Sequence, residues 1–381
     1  MRFGVWFARA FIISTVALAC GAVAAADLPS STKKQLAQFK LDESLMSDID
    51  KELAIPQAWL DAAKKEPPVQ VLATWNPSEW KTLSQSFYAR YPSIKIDYVR
   101  SSRDNRQVQT LLALKQGRYV GDVITSFSSI YKDLREMNAL ADLHELPAFG
   151  TGIADSTDPD GYWASERITY WCIAYNTDLV KPSDLPKDWD DILTNPFWRD
   201  GHFAVSNTAA GWMTVLYKAN GREWARNFLT KLFVDVKPKR RNEGRDASVQ
   251  LTAAGEQAAV TPSGDYRVAE FARRGAPVSF HCPSIVPMAA AQIGLLRGSP
   301  AQNGGKIFLN WFLSKEGQLG LHAANGAVSA HKDLQIPALL NYPEQVRNPN
   351  KKIVIDDLDM AVLDELQQLW TKGWNNELPG Q

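Results

Sequence analysis

Cysteine is scarce in this chain: three residues in 381, none of them in a CxxC pair. That excludes a disulfide-stapled mini-protein and leaves no thiolate set for a structural zinc site. An excess of one charge is lacking too, because 42 Lys+Arg balance 42 Asp+Glu. A nucleic-acid binder usually carries a basic excess, so no nucleic-acid partner is expected. Histidine is sparse, with five scattered residues. His144-Glu145 is followed by Pro147 and Phe149, where a zincin helix needs an unbroken turn and a second histidine. The GxSxG elbow and GxGxxG are absent, and Gly305-Lys306 lacks the rest of a phosphate loop. Asp158-Pro159-Asp160-Gly161 resembles part of a calcium loop, but Ser156 and Arg167 hold its first and last ligand positions. It reads as a solvated turn. No cofactor is expected, and no catalytic constellation stands out.

Hydrophobic residues make up 45% and charged residues 22%, ordinary values for a globular protein. The length suggests two or three domains. Arg2 and Arg9 precede the apolar run Ala10–Ala19, and Ala24-Ala25-Ala26 follows. Such a run suits a signal-peptide core and is too short to span a bilayer. Residues 1–26 are therefore read as a secretory signal, and the mature protein as exported to the periplasm. A lipid anchor at Cys20 is the alternative. Cys172 and Cys282 remain in an oxidising compartment, as two buried thiols or as one disulfide.

The pattern beyond residue 26 alternates helices and strands. Residues 27–68 read as a helical extension, stopped by Pro67-Pro68. Strands are expected at 69–73, 94–99 and 122–125, with helices from Asn76-Pro77 to Arg90 and over 108–116. A long apolar strand is expected at 169–175 and another at 278–283. Further helices are expected over 306–314 and 356–374. This order implies open, mostly parallel α/β sheets with helices on both faces. In such sheets ligands bind beyond the carboxyl ends of the strands, at helix N-termini. The basic run Lys237, Lys239, Arg240, Arg241 reads as a solvated face, with an anion-attracting rim or docking patch as the alternative.

Four segments carry a family resemblance. They are the helix Trp59–Glu66 leading into the first strand, the Asp-Val strand and leucine pattern of Gly117–Leu143, Gly161-Tyr162-Trp163 with Tyr175–Asp191, and Gly304–Gly326 with Phe308, Trp311, Phe312, Ser314, Glu316, Gly317 and Gln318. Together the chain resembles a solute-binding protein of ABC transporters, in the family that includes ferric-iron binding proteins and their organic-ligand relatives. The resemblance implies a two-lobed periplasmic-binding-protein fold of type 2, each lobe a doubly wound, mostly parallel sheet, joined by hinge strands. Lobe 1 would be 69–168 plus 284–341, and lobe 2 169–283. Residues 342–381 would be a helical segment packed on the lobes. Cys172 and Cys282 would meet at the hinge, favouring a disulfide. A small-molecule solute would close the lobes, and the monomer would deliver it to a membrane permease and its ATPase.

Iron-binding members use adjacent tyrosines, because phenolates are hard oxygen ligands. Here Tyr266 matches the second and Asp265 replaces the first. Ferric iron is therefore the alternative to a small anionic or polyhydroxylated organic solute. Other cleft candidates follow the strands: Thr74 and Trp75, Ser102 and Arg103, Ser126, Asn207 and Thr208, and Arg245. Hydroxyls and helix N-termini suit an anion, an arginine grips carboxylate or phosphate, and a tryptophan stacks on a sugar or aromatic. Two readings of other classes remain: a secreted hydrolase using Asp158 and Asp160, and a sensor subunit that presents its ligand to a receptor.

Overall fold

The computed structural model describes residue 1, residues 27–356 and residues 359–381. The signal segment with Cys20 lies outside the described residues. The chain runs α1 (Ser30–Gln38), α2 (Gln57–Ala63), β1 (Val69–Ala73), α3 (Pro77–Arg90), β2 (Ile96–Arg100), α4 (Arg103–Lys115) and β3 (Val123–Thr125). The long strand β4 (Ala164–Asn176) leads to β5 (Phe203–Ser206), α5 (Met213–Asn220), α6 (Arg222–Lys231), β6 (Lys239–Arg241), α7 (Arg245–Ala253), β7 (Ala259–Gly264), α8 (Asp265–Arg273) and β8 (Val278–His281). The return uses β9 (Ile285–Leu295), α9 (Gln302–Leu313), α10 (Lys315–Asn325), β10 (Lys352–Ile355) and α11 (Met360–Trp374).

Local chemistry explains the starts. Asn76 caps α3 with Glu79 answering it, a capping box with Pro77 in the first turn. Ser102 caps α4 and pulls its start five residues ahead of the expected Val108. Helix α9 ends at Leu313, where Ser314 breaks it and caps α10 in turn. The C-terminal segment is not purely helical. Lys352–Ile355 pairs in parallel with Ile285–Met288 before α11 begins.

Among the described residues, ten strands join one sheet network in the order β2-β1-β3-β9-β4-β7-β5-β6, with β10 on β9 and β8 on β4. Parallel pairing builds the two outer parts, β2-β1-β3 and β7-β5-β6. Antiparallel strand pairing fills the middle, where β9 pairs with β3 and with residues 164–170 of β4, and residues 171–176 of β4 pair with β7 and β8. One strand thus serves both sheets. Each sheet has two covered faces, so its central strands β1, β3 and β5 are nearly all apolar. Val71 and Ala73 meet Leu83, Phe87, Phe308 and Trp311 on one side, while Leu72 meets Phe127 and Leu134 on the other. In the second unit Phe203 and Val205 meet Trp198, Trp212 and Trp370, while Ala204 meets Val249 and Val260.

The extension before β1 is built into the first unit. Thr32 donates to Glu316 at 3.0 Å, and Arg90 and Trp311 donate to the same carboxylate at 2.7 and 2.8 Å. Leu36 and Met46 bury against Leu319 and Leu334. Glu52 accepts from the Lys315 backbone at 2.8 Å and lies 3.2 Å from His331 Nε2. Glu52, His331 and Asp333 converge, and the Lys315 ammonium stands 3.5 Å from Glu52 and 3.7 Å from Asp333, supplying the positive charge there. The basic run falls partly on β6, the end strand of the order. Charged side chains on an edge strand discourage pairing with another chain.

Cys172 on β4 and Cys282 after β8 form a disulfide, with Cα atoms 5.1 Å apart and a sequence separation of 110.

Candidate functional site

Parallel strands end together, so their following loops share an edge. In the first unit that edge carries Thr74, Ser102 and Ser126. The Ser102 hydroxyl accepts from Asn105 N at 3.4 Å, a capping role at the start of α4. The Arg103 side chain lies outside the described residues. Ser126 sits in the left-handed region at φ +50°, with its carbonyl held by Gln107 and its N–H by the Gln292 carbonyl. In the second unit the edge carries Asn207, Thr208, Arg245, Asp265 and Tyr266. Thr208 accepts from Ala210 N at 3.0 Å, and Asn207 is exposed.

Arg245 is the best-built of these. Its guanidinium lies 4.2 Å from the centre of the Trp171 ring and donates to the Ala210 carbonyl at 2.8 Å. Gly211, at φ +84°, packs so closely that a Cβ would stand 3.3 Å from the same indole. Arg267 bridges α7 and α8 by pairing with Asp246 at 3.0 Å and with Glu270. Tyr266 lies between Arg167 and Arg267, 5.8 and 5.3 Å from its ring centre. Burial pushes its phenol above the ordinary range, although Arg167 opposes the shift. The phenol is therefore a neutral hydrogen-bonding group near neutral pH.

Two expected contacts have a different geometry. The Trp75 ring is buried among Trp80, Tyr98 and Phe312, and its N–H donates to Glu166 at 3.0 Å. It is a core residue under the edge, with no free face for a ligand. Asp265 is engaged within the fold. Its carboxylate accepts from Tyr170 N at 3.0 Å and from Asn341 Nδ2 at 2.8 Å. Burial raises this carboxyl to about 6, against the hydrogen bonds from Asn341 and Tyr170 that lower it. It ties β4 to α8 rather than offering oxygen ligands beside the phenol.

The calcium-like turn is internally organised. Asp158 accepts from Tyr131 at 2.6 Å and from Tyr162 N at 3.1 Å, while Asp160 pairs with Arg135 at 3.1 Å. This acid pair is committed to structure.

Sequence reasoning missed the residues between the two edges. Glu166 and Arg167 sit on β4, at a bulge opposite β9. Glu166 Oε1 takes both the Trp75 N–H and, at 2.5 Å, Arg167 Nη1. Burial works against the charge on Arg167, but Glu166 and then Tyr266 outweigh it and hold its pKa above the ordinary value. The only signal was a Glu-Arg pair heading an otherwise apolar strand.

The sequence matches the family described as bacterial extracellular solute-binding protein over residues 58–319. No curated protein matches it. Three solved structures share the fold. Iron-bound HitA from Pseudomonas aeruginosa is 18% identical with a TM-score of 0.64, covering 81% of this chain and 99% of its own. AfuA from Actinobacillus pleuropneumoniae, with fructose-6-phosphate bound, is 17% identical with a TM-score of 0.61, covering 82% and 98%. The GacH receptor of Streptomyces glaucescens GLA.O, solved unliganded and with acarbose, is 16% identical with a TM-score of 0.66, covering 82% and 94%. The fold is thus the two-lobed one of periplasmic binding proteins, with β4 pairing in both sheets. No helix among the described residues is long and apolar enough to cross a membrane. The family match over most of the chain, carried on a fold whose two sheets share the long strand β4, makes this protein a member of the bacterial extracellular solute-binding proteins.

Proposed function

We propose that this protein is the periplasmic solute-binding component of an ABC import system. Residues 1–26 direct export and are removed. Lobe 1 is 69–168 plus 284–341, lobe 2 is 169–283, and a solute caught between them closes the hinge. The closed monomer delivers it to a membrane permease served by an ATPase, without turnover. The favoured ligand is a small anionic or polyhydroxylated organic solute. The observation that carries this is the grouping of Arg167, Arg245 and Arg267 around Tyr266 and Trp171. Arginines recognise carboxylate and phosphate bidentately, and an indole offers a stacking face.

Ferric iron is the second reading, favoured by Tyr266 and by the iron-bound neighbour. It is weakened because the Asp265 carboxylate is engaged by Tyr170 and Asn341. Native mass spectrometry of protein purified from its own periplasm tests both. A released organic mass supports the first reading. A mass shift matching iron, with a colour lost in Tyr266→Phe, overturns it.

A further inference from the structure

We propose that Arg167 receives the acidic group of the solute, and that the solute is a hydroxylated acid: a carboxylate or phosphate ester that also carries hydroxyls. The inference rests on the solute-binding reading above. It begins with a misplaced charge pair. The Glu166 side chain is fully buried and that of Arg167 is 17% exposed. A buried ion pair is poor value for stability, since desolvation offsets most of the attraction. Its place in a crossing strand asks for another role.

The hydrogen bonding is half complete. Glu166 Oε1 is taken by Trp75 and Arg167. Glu166 Oε2 and Arg167 Nε are covered from solvent and have no partner. Both residues sit at a bulge of β4 opposite β9. Bulges re-aim side chains next to functional sites. Buried polar groups left unpaired are costly, so a donor and an acceptor left on one ion pair call for an explanation. The complement is an oxyanion for the guanidinium edge, with a hydroxyl for the free carboxylate oxygen. Nearby acids do not compete for Arg167. Asp246 is held by Arg267, and Glu79 caps α3.

The test uses the full mature protein and four probes at millimolar concentration: gluconate, glucose 6-phosphate, glucose and inorganic phosphate. A ligand that binds only the folded state raises the thermal midpoint. Gluconate or glucose 6-phosphate should raise it clearly more than glucose or phosphate, and which of the two does so separates carboxylate from phosphate ester. Arg167→Gln should weaken that binding by about 100-fold, the scale of a charge-assisted bidentate contact. Because Arg167→Gln leaves Glu166 buried and unpaired, the double variant Glu166→Gln/Arg167→Met guards against misfolding. It removes both charges together, which costs folding little, and should lose the acid probe. Wild-type affinity for the acid in the folded double variant overturns the inference. So does a response to glucose alone, or to none of the four, while the solute-binding reading stands or falls on the mass spectrum.

Discussion

At the scale of single residues, burial decided more than residue type. Asp265 and Tyr266 are adjacent in sequence, yet one faces the hinge backbone and the other two arginines. The buried Asp265 carboxyl, raised to about 6 from an ordinary 3.8, binds its proton more tightly in the folded state than in the unfolded one. Its stabilising contribution is therefore fully present below pH 4 and is lost as pH rises through 6, by about 3 kcal/mol. Asp265→Asn should remove this slope. Urea midpoints of wild type and variant, compared between pH 4 and 7, should diverge as pH rises, with the variant the more stable; parallel curves would refute it.

At the scale of elements, most of the first sheet was legible. Val69–Ala73 is a strand as expected, because both its faces are apolar and prolines precede it. The Asn-Pro-Ser-Glu start of α3 was equally plain. Strand β9 was not, since Pro287 and a run of alanines give it little strand propensity. It forms because β3, β4 and β10 surround it. The extension at 27–55 had no readable role, and its irregular spacing resolves only against α3 and α10. Leu36, 1% exposed, anchors it. Leu36→Ala should cost about 2–5 kcal/mol in urea unfolding, with solute affinity unchanged. A loss under 1 kcal/mol would mean that α1 is only loosely attached.

At the scale of the whole molecule, one covalent link closes a loop across the second lobe. Both cysteines are fully buried, so reductant should reach them only on unfolding. Replacing both by alanine opens a loop of 110 residues, which the chain-entropy model values at roughly 4–5 kcal/mol. Guanidinium unfolding of the double variant, against the untreated protein, checks this. Equal midpoints would show that the link contributes nothing to stability.

The sequence by itself determined the class: an alternating α/β chain with an export signal pattern, without catalytic motifs, and with loops after strands rich in serine, asparagine and arginine. Those properties are local, because periodicity, caps and turns act within a few residues. Only the tertiary structure decided that Trp75 and Asp265 are committed to packing and to tying β4 to α8, and that Glu166 meets Trp75 and Arg167 at one bulge. Such meetings join residues more than ninety positions apart, set by the antiparallel pairing of β4 with β9 and β7, and no local pattern encodes that register.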